Sequence, residues 1–155
     1  MTSSVPKEVL PSTLNDLPDG WQMSTVAACC DNVTDGDWIE TRHQGGKDYR
    51  LLQVSNVGTG SFRETGNFRY VSQEVFDELG CREVVPGNIL VSRMPDPVGR
   101  AWLVEAMPWR AITAVDVSIL EPNEDVVDPR YLAYWLNSPW NLAIAKTQAT
   151  GTTRL

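Results

Sequence analysis

The sequence predicts a mixed α/β fold of the α+β type, with several short strands and three or four short helices in one domain. Short apolar runs separated by glycine- and proline-containing turns are typical of short strands. Two dipeptides, Asp128-Pro129 and Ser138-Pro139, each precede residues with the apolar spacing of a helix. The length of 155 residues and the apolar fraction of 42% are sufficient for one hydrophobic core.

The N-terminal region is predicted to contain little regular structure. Residues 1–16 are rich in Ser, Pro and Thr and are expected to form a loose tail, which leaves residues 17–155 as the single domain. Ser24 is expected to cap a short helix that ends at about Cys30, because a serine hydroxyl accepts from the free N–H groups of a first helical turn.

The middle of the chain is predicted to contain strands and one short helix. Residues 49–54 and 68–71 are rich in aliphatic and aromatic side chains and are expected to be strands. Residues 56–60 form a turn that needs its two glycines. Ser72 is expected to cap a helix that Gly80 ends, since glycine readily adopts the left-handed conformation found after many helices.

Three further strands are expected before the C-terminal helices. Pro86-Gly87 is predicted to turn the chain into a strand at residues 89–91, and a second strand follows at residues 101–104. Residues 112–120 show the clearest alternation of apolar and polar side chains and are predicted to be one strand. Two prolines, Pro95 and Pro97, are expected to stiffen the loop between the first two of these strands.

The last part of the domain is predicted to form two consecutive helices. Asp128 caps the first helix and Pro129 occupies its first position. The apolar stripe of this helix is expected to contain three residues, namely Leu132, Trp135 and Leu136. The second helix is expected to run from about Trp140 to Gln148 and to end before Gly151.

The net charge of −7 argues against non-specific binding of nucleic acid. The charge is uneven, however, because residues 41–70 have five basic and two acidic residues and a sum of +3. The basic residues of this segment are Arg42, Lys47, Arg50, Arg63 and Arg69. A local basic surface on an acidic body binds phosphate with reduced affinity. Ordinary solvated charge is the alternative interpretation.

The motifs of catalysis are incomplete. Asp96 and Glu105 would begin a nuclease metal site, but no lysine of the chain has the acidic residue two positions earlier that such a site needs. Asp128-Pro129-Arg130 lacks the Pro-Pro-aromatic continuation of a DNA aminomethyltransferase. His43 is the only histidine, which excludes a histidine-based metal cluster, and it is either a solvated loop residue or a DNA contact. The sequence therefore predicts a non-catalytic protein without cofactor or metal.

The cysteines predict a reducing compartment. Cys29, Cys30 and Cys81 are odd in number and lack C-x-x-C spacing, so we interpret them as small buried hydrophobic residues rather than as disulfides or zinc ligands. No apolar run reaches the roughly 20 residues of a membrane helix. A cytoplasmic location without membrane contact is therefore expected.

The tryptophans are expected to serve mainly in packing. Trp135 lies on the apolar stripe of a predicted helix and is expected in the core. Trp38, Trp102 and Trp109 flank predicted strands and are expected to be half-buried, with stacking on nucleic-acid bases as the alternative.

Three stretches combine an apolar strand with a polar, glycine-containing turn. They are Asp35-Gly-Asp-Trp-Ile-Glu40 continuing to Tyr49-Arg-Leu-Leu-Gln-Val-Ser-Asn-Val-Gly-Thr-Gly60, then Pro86-Gly-Asn-Ile-Leu-Val-Ser-Arg93, and Gly151-Thr-Thr-Arg154. Four further pieces lie between them, namely Met94-Pro-Asp-Pro97, Gly99-Arg-Ala101, Val115-Asp-Val-Ser-Ile-Leu120 and Tyr131 to Pro139. The order and spacing of all these pieces resemble the target recognition domain of the DNA specificity subunit of type I restriction–modification systems. The resemblance covers roughly residues 17–155.

The resemblance implies a DNA-binding protein of a host-defence system that does no chemistry itself. In that family the domain reads half of a split site through the major groove. Modification (methyltransferase) subunits methylate adenine with S-adenosylmethionine, and a restriction subunit cleaves the DNA. The implied partners are double-stranded DNA, these two kinds of subunit, and another specificity subunit or half subunit. The implied cofactors belong to the partners.

The resemblance and the residue chemistry together suggest two layers of DNA contact. Basic residues are expected to hold phosphates, and side chains that bond two base atoms at once are expected to read sequence. The phosphate candidates are Lys47, Arg63, Arg69 and Arg154, and the base-reading candidates are Arg42, Gln44, Arg93 or Arg100, Thr152 and Thr153. Arg93 and Arg100 have an alternative role, which is to stiffen the proline-rich loop by pairing with Asp96 or Glu105. Asn56 is expected to bond its own turn.

The chain departs from the family at its end. It stops at Leu155, before the long spacer helix that relatives have, so we expect a half subunit, an expressed fragment or a truncated gene product. A protein-interaction role is the alternative function: such a fragment would pair with, or compete against, full-length specificity subunits.

Overall fold

Two small β-sheets organise the chain in the computed structural model, which describes residues 17–149. Seven strands and three α-helices follow one another in the order β1 (Cys30–Asp35), β2 (Tyr49–Leu52), β3 (Tyr70–Val71), α1 (Gln73–Leu79), β4 (Ile89–Ser92), β5 (Ala101–Leu103), β6 (Ala111–Thr113), β7 (Val117–Pro122), α2 (Pro129–Leu136) and α3 (Pro139–Gln148). The four-stranded sheet has the order β1-β7-β4-β5 and is antiparallel. The three-stranded sheet has the order β3-β2-β6, with β2 antiparallel to β3 and parallel to β6. The predicted α+β class is therefore confirmed.

The hydrophobic core forms three layers around these sheets. Leu52 from one sheet meets Leu90 and Ile119 from the other, so the largest cluster lies between the two sheets. Helix α2 covers the outer face of the four-stranded sheet, and α1 covers the outer face of the three-stranded sheet. The ring of Tyr49 stacks on that of Phe76 with a centroid distance of 4.2 Å. No helix within residues 17–149 is long and apolar enough to cross a membrane.

The helix caps agree with the sequence prediction. The side chain of Ser72 accepts a hydrogen bond from the Val75 N–H, and Gly80 adopts the left-handed conformation with φ of +61°. Asp128 accepts from the Arg130 N–H, and Ser138 accepts from the Asn141 N–H. Each cap satisfies an N–H group that the helix itself leaves free.

The predicted apolar stripe of α2 is also present. Leu132 and Leu136 are buried there together with Ala133, but Trp135, which was expected in the core, is only half-buried beside them.

The predicted strand over residues 112–120 is wrong. It is two strands, β6 and β7, which belong to different sheets. The chain bends at residues 114–116, where Asp37 pairs with Ala114 and the Gly36 N–H donates to the Val117 carbonyl at 2.8 Å. A Cβ on Gly36 would lie 2.1 Å from the Ala114 oxygen, so only glycine permits this approach.

The predicted helix at residues 24–30 is also wrong. Only a 3-10 turn forms, at Ala27–Cys29, and strand β1 follows it directly. Thr25, rather than Ser24, accepts from the Ala28 N–H, at 3.1 Å. Strand β1 lies at the edge of its sheet and is mostly exposed, which explains how it accommodates Asp and Asn residues that disfavour strands.

The three cysteines are free thiols, but only one is buried. Cys81 lies in the core under α1, and burial raises the pKa of its thiol to about 11. Cys29 and Cys30 are half-buried at the start of β1, so the prediction that all three are buried is wrong for these two. Burial also raises the pKa of Cys30.

Candidate nucleic-acid interface

Most positive charge in the described part of the chain is neutralised by carboxylates. Residues 17–149 contain every Lys and Arg except Lys7 and Arg154. Six arginines form ion pairs, namely Arg42, Arg50, Arg82, Arg93, Arg110 and Arg130. Among the residues that the structure describes, the basic side chains without a carboxylate partner or a buried environment are Lys47, Arg63, Arg69 and Lys146. Three of these four belong to the predicted basic segment.

Arg50, one of the five basic residues of that segment, is fully buried. Its guanidinium makes a two-pronged contact with Glu64, at 2.9 Å and 2.8 Å. The same group lies 4.4 Å from the ring centroids of both Phe68 and Trp109. Arg50 and Leu52 are two residues apart in β2, so their side chains lie on the same face of the strand, which is the face that packs in the core between the sheets. Arg50 therefore adds no positive charge to the exposed surface of residues 41–70.

Arg100 is buried as well, with 4% of its surface exposed. Its guanidinium donates only to backbone carbonyls, those of Val54, Val57, Met94, Pro95 and Pro97, at 2.6–3.2 Å. It has no donor directed at a ligand, so Arg100 is not retained as a base-reading candidate. The alternative role, stiffening the proline-rich loop, agrees with this geometry, although the partners are carbonyls instead of Asp96 or Glu105.

The first candidate group surrounds Arg42. This side chain is 75% exposed, and its Nε donates to the Glu40 carboxylate at 2.6 Å. The hydrogen bond and the charge of Arg42 together lower the pKa of Glu40. His43 accepts from the Glu40 N–H through Nδ1 at 3.1 Å, so the loop is internally bonded. Arg42 reaches a ligand only by sharing or releasing Glu40, and Gln44 beside it is half-buried.

Lys47 and Arg69 are both exposed near Tyr70 of β3. Lys47 lines a depression of about 540 Å³ together with Tyr70, Trp109 and Arg110. The Gly45 N–H donates to the Tyr70 carbonyl at 2.8 Å, which ties the loop of Lys47 to β3. Arg69 directly precedes Tyr70 and is exposed.

Arg63 lies beyond the C-terminal end of β2, in the same connection to β3 as Arg69. Its N–H donates to the Asn56 carbonyl, and the Asn56 amide donates back to the Arg63 carbonyl at 2.9 Å. Asn56 also accepts from the Gln53 N–H, so the expectation that it bonds its own turn is confirmed. Burial lowers the pKa of Arg100, and the nearby charge of Arg63 adds to this effect.

The remaining candidates are dispersed. Arg93 is half-exposed and pairs with Asp35 at 3.2 Å, not with Asp96 or Glu105. Thr152, Thr153 and Arg154 lie outside the described residues. The structure thus places the described candidates at several separate positions, with Lys47 before β2 and Arg63 after it.

The tryptophans are distributed differently from the prediction. Trp38 is 70% exposed instead of half-buried, and Trp102 is almost completely buried. Trp109 is half-buried as expected, because one face of its ring covers Arg50. Among residues 17–149 there is no group of three His, Cys, Asp or Glu side chains that could hold a metal ion.

The comparisons with known proteins identify the fold. No family model matches the chain, and no curated protein matches it. One similar solved structure belongs to work on the structural basis underlying complex assembly and conformational transition of the type I R-M system. Its TM-score with this chain is 0.65, and the sequences are 21% identical over 95% of this chain and 34% of that one. Another is the crystal structure of the HsdS subunit from Thermoanaerobacter tengcongensis, with a TM-score of 0.64 and 18% identity over 93% of this chain and 33% of that one. The chain thus spans about a third of the length of either protein.

Proposed function

We propose that this chain, which has the fold of a domain found in type I specificity subunits, is a DNA-recognition domain that catalyses no reaction. In this proposal it reads half of a bipartite duplex site and directs adenine methylation or cleavage by partner subunits. The observation that carries the proposal is the similarity of fold over 95% of the chain. Double-stranded DNA and the modification and restriction subunits are the proposed partners.

The proposed contacts divide by chemistry. Lys47, Arg63 and Arg69 are exposed cations suited to phosphate, and Arg154 would add a fourth. Base reading is assigned to the bidentate side chains of Arg42, Gln44 and Arg93, with Thr152 and Thr153 as additional hydroxyl donors. Since three of the phosphate candidates are free of carboxylates within residues 17–149, they need no rearrangement before binding.

The charge balance sets the expected affinity. The net charge of −7 repels the DNA backbone, and few cations oppose it. We therefore expect the isolated chain to bind duplex DNA in the non-specific range of about 10⁻⁴–10⁻⁶ M and with a steep dependence on salt. Tight binding would come with the partner subunits, which extend the contact surface.

A salt titration tests the proposal. Binding of a fluorescein-labelled 30-base-pair duplex would be followed by anisotropy between about 50 and 200 mM salt, where affinity is expected to fall steeply. The triple variant Lys47→Gln/Arg63→Gln/Arg69→Gln should show weaker binding and a flatter slope. Absence of binding by the unmodified chain at 50 mM salt, or an unchanged slope in the triple variant, would contradict the proposed function.

A protein-interaction role is the second candidate. Exposed aromatic residues are found on and near α2, where Trp21 packs edge-on against Tyr131 at 5.9 Å and Tyr134 is 81% exposed. Such a surface is typical of protein contacts. If this role is the correct one, the chain will associate with a full-length specificity subunit in sedimentation experiments and will not bind the duplex.

A further inference from the structure

The loop at residues 61–69, here named the clamped loop, is held against the sheet by an ion pair between the buried Arg50 and the half-exposed Glu64, in addition to backbone hydrogen bonds at Arg63 and Arg69. It connects the turn after β2 to β3 and contains two of the free cations, Arg63 and Arg69. All of its residues except Phe62 are exposed. An exposed loop of this kind would ordinarily be mobile. Its contacts with Arg50 distinguish it from an ordinary loop.

The attachment has three components. Both guanidinium NH₂ groups of Arg50 donate to the Glu64 carboxylate, at 2.9 Å and 2.8 Å. Glu64 also accepts from the Gly66 N–H at 3.0 Å, which fixes the tip of the loop. The guanidinium carbon also lies 4.4 Å from the ring centroids of Phe68 in the loop and of Trp109, and 5.5 Å from that of Phe62. Arg50 therefore contacts the loop at three separate residues.

A buried arginine is unfavourable unless its geometry is well satisfied. Arg50 has 0% exposure, and its Nε has no hydrogen-bond partner. An aliphatic side chain would fill the same space on β2 without this desolvation cost, but it would not hold a carboxylate. The presence of a buried guanidinium at position 50 is therefore explained by its contacts with the clamped loop, which fix the conformation of that loop.

We propose that Arg50 is a positioning residue that pre-organises the clamped loop for contact with duplex DNA through the exposed side chains of Arg63, Asn67 and Arg69. Arg50 itself does not touch the DNA. The inference rests on the proposed function, because it assigns a role within the same interface. Pre-organisation matters because a loop that is already ordered loses less conformational entropy on binding. Asn67 is included among these side chains because its Oδ1 accepts from Arg69 Nε at 3.3 Å and thereby orients that guanidinium.

The test uses a charge-neutral double variant, Arg50→Gln/Glu64→Gln, of the full chain. Its matched control is Asp128→Asn/Arg130→Gln, which removes an arginine–carboxylate contact of 3.0 Å from the exposed start of α2 and also conserves net charge. Asn at position 128 retains a capping oxygen for α2. Neither control residue is part of the proposed interface.

The first measurement is local and independent of DNA. Limited trypsin digestion, with fragments identified by mass spectrometry, reports cleavage after Arg69 in the clamped loop and after Arg100 in the core. We expect the double variant to be cleaved after Arg69 at least about tenfold faster, with Arg100 still protected, and the control to match the unmodified chain. Unchanged cleavage after Arg69 would overturn the clamp. Equal acceleration at Arg100 would mean global unfolding and would also overturn the positioning role.

The second measurement is the anisotropy titration with the 30-base-pair duplex at 50 mM salt. We expect the double variant to bind at least about fivefold more weakly than the control. An open loop with unchanged affinity would overturn the role of the loop in binding. If the unmodified chain does not bind, the proposed function fails, and the cleavage data then show separately whether the clamp exists. If the double variant does not fold by circular dichroism, Glu64→Gln replaces it, because that side chain is 44% exposed. The loss of one negative charge in Glu64→Gln favours DNA binding, so weaker binding would still support the proposal and unchanged or stronger binding would overturn it.

Discussion

The Nε of Arg100 donates to the carbonyl oxygen of Val57 at 2.6 Å, which joins the loop after β4 to the turn after β2. The remaining nitrogens of the same side chain donate to Val54 and to three carbonyls of the proline-rich loop. Arg100 thus connects the turn after β2 to the proline-rich loop between β4 and β5, near the position of Arg63.

Replacing Arg100 by Met should destabilise the domain. Each buried carbonyl that loses its donor costs roughly 1–3 kcal/mol, so the free energy of unfolding in urea should fall by several kcal/mol. Arg93→Met is the control, because Arg93 is half-exposed and its pair with Asp35 is solvated. The control should change stability by less than about 1 kcal/mol. Equal effects of the two variants would contradict the role assigned to Arg100.

The hydroxyl of Ser138 should contribute more to stability than that of Ser24. Ser138 caps α3 by accepting from the Asn141 N–H at 3.3 Å and is 8% exposed. Ser138→Ala should cost about 1 kcal/mol, within the range for lost N-caps. Ser24 is exposed and caps no helix, so Ser24→Ala should have an effect within about ±0.5 kcal/mol. Urea denaturation measures both, and the reverse order would support the helix that the sequence predicted at residues 24–30.

Local signals explain which elements were predictable. The caps at Ser72, Asp128 and Ser138 were predicted correctly, because a cap and the helix it begins are adjacent in sequence. Strand β1 was missed because its Asp and Asn residues disfavour strands, and only its pairing with β7 stabilises it. The bend between β6 and β7 was not predicted because apolar alternation continues through it, and Gly36, whose backbone packs against the bend, lies far away in the sequence.

The candidate site was less predictable than the fold. Arg50 lies among apolar residues of a correctly predicted strand, which was a signal that it is buried, but its partner Glu64 lies in a distant loop. Arg100 likewise has carbonyl partners from two separate segments. Sequence reveals which side chains carry charge, but only the tertiary contacts decide which charges remain free for a ligand.

The carboxyl group of Glu64 should titrate far below its usual range. The hydrogen bonds from Arg50, supported by the Gly66 N–H, lower its pKa to about 2 from the usual 4.5. Because the pKa is lowered on folding, the contact stabilises the folded state above about pH 4.5 and is lost as pH falls towards 2. The carboxyl ¹³C chemical shift, followed from pH 6 to 2, measures this value. Arg50→Gln should return the midpoint towards 4.5, and a midpoint near 4.5 in the unmodified chain would exclude the ion pair.

Phosphate and base contacts should respond differently to substitution. Arg63→Ala should weaken binding to all duplexes alike and flatten the salt slope, because a phosphate contact carries no sequence information. Arg42→Ala or Gln44→Ala should instead cost roughly 1–3 kcal/mol at one base position and relax the preference there. Competition assays with sequence-shuffled duplexes, performed with a modification subunit present, distinguish the two patterns. If all three variants keep both affinity and preference, the proposed reading surface is wrong.

Selection from a random duplex pool tests the central claim, sequence-specific reading of DNA, most directly. Immobilised chain with a modification subunit would be incubated with 40-base-pair duplexes of randomised centre at about 150 mM salt, and bound DNA would be sequenced over successive rounds. The account predicts enrichment of a short motif corresponding to a half-site, together with loss of preference at one position in Arg42→Ala or Gln44→Ala. A pool that stays random after repeated rounds, or a motif identical when the modification subunit is tested alone, would contradict it.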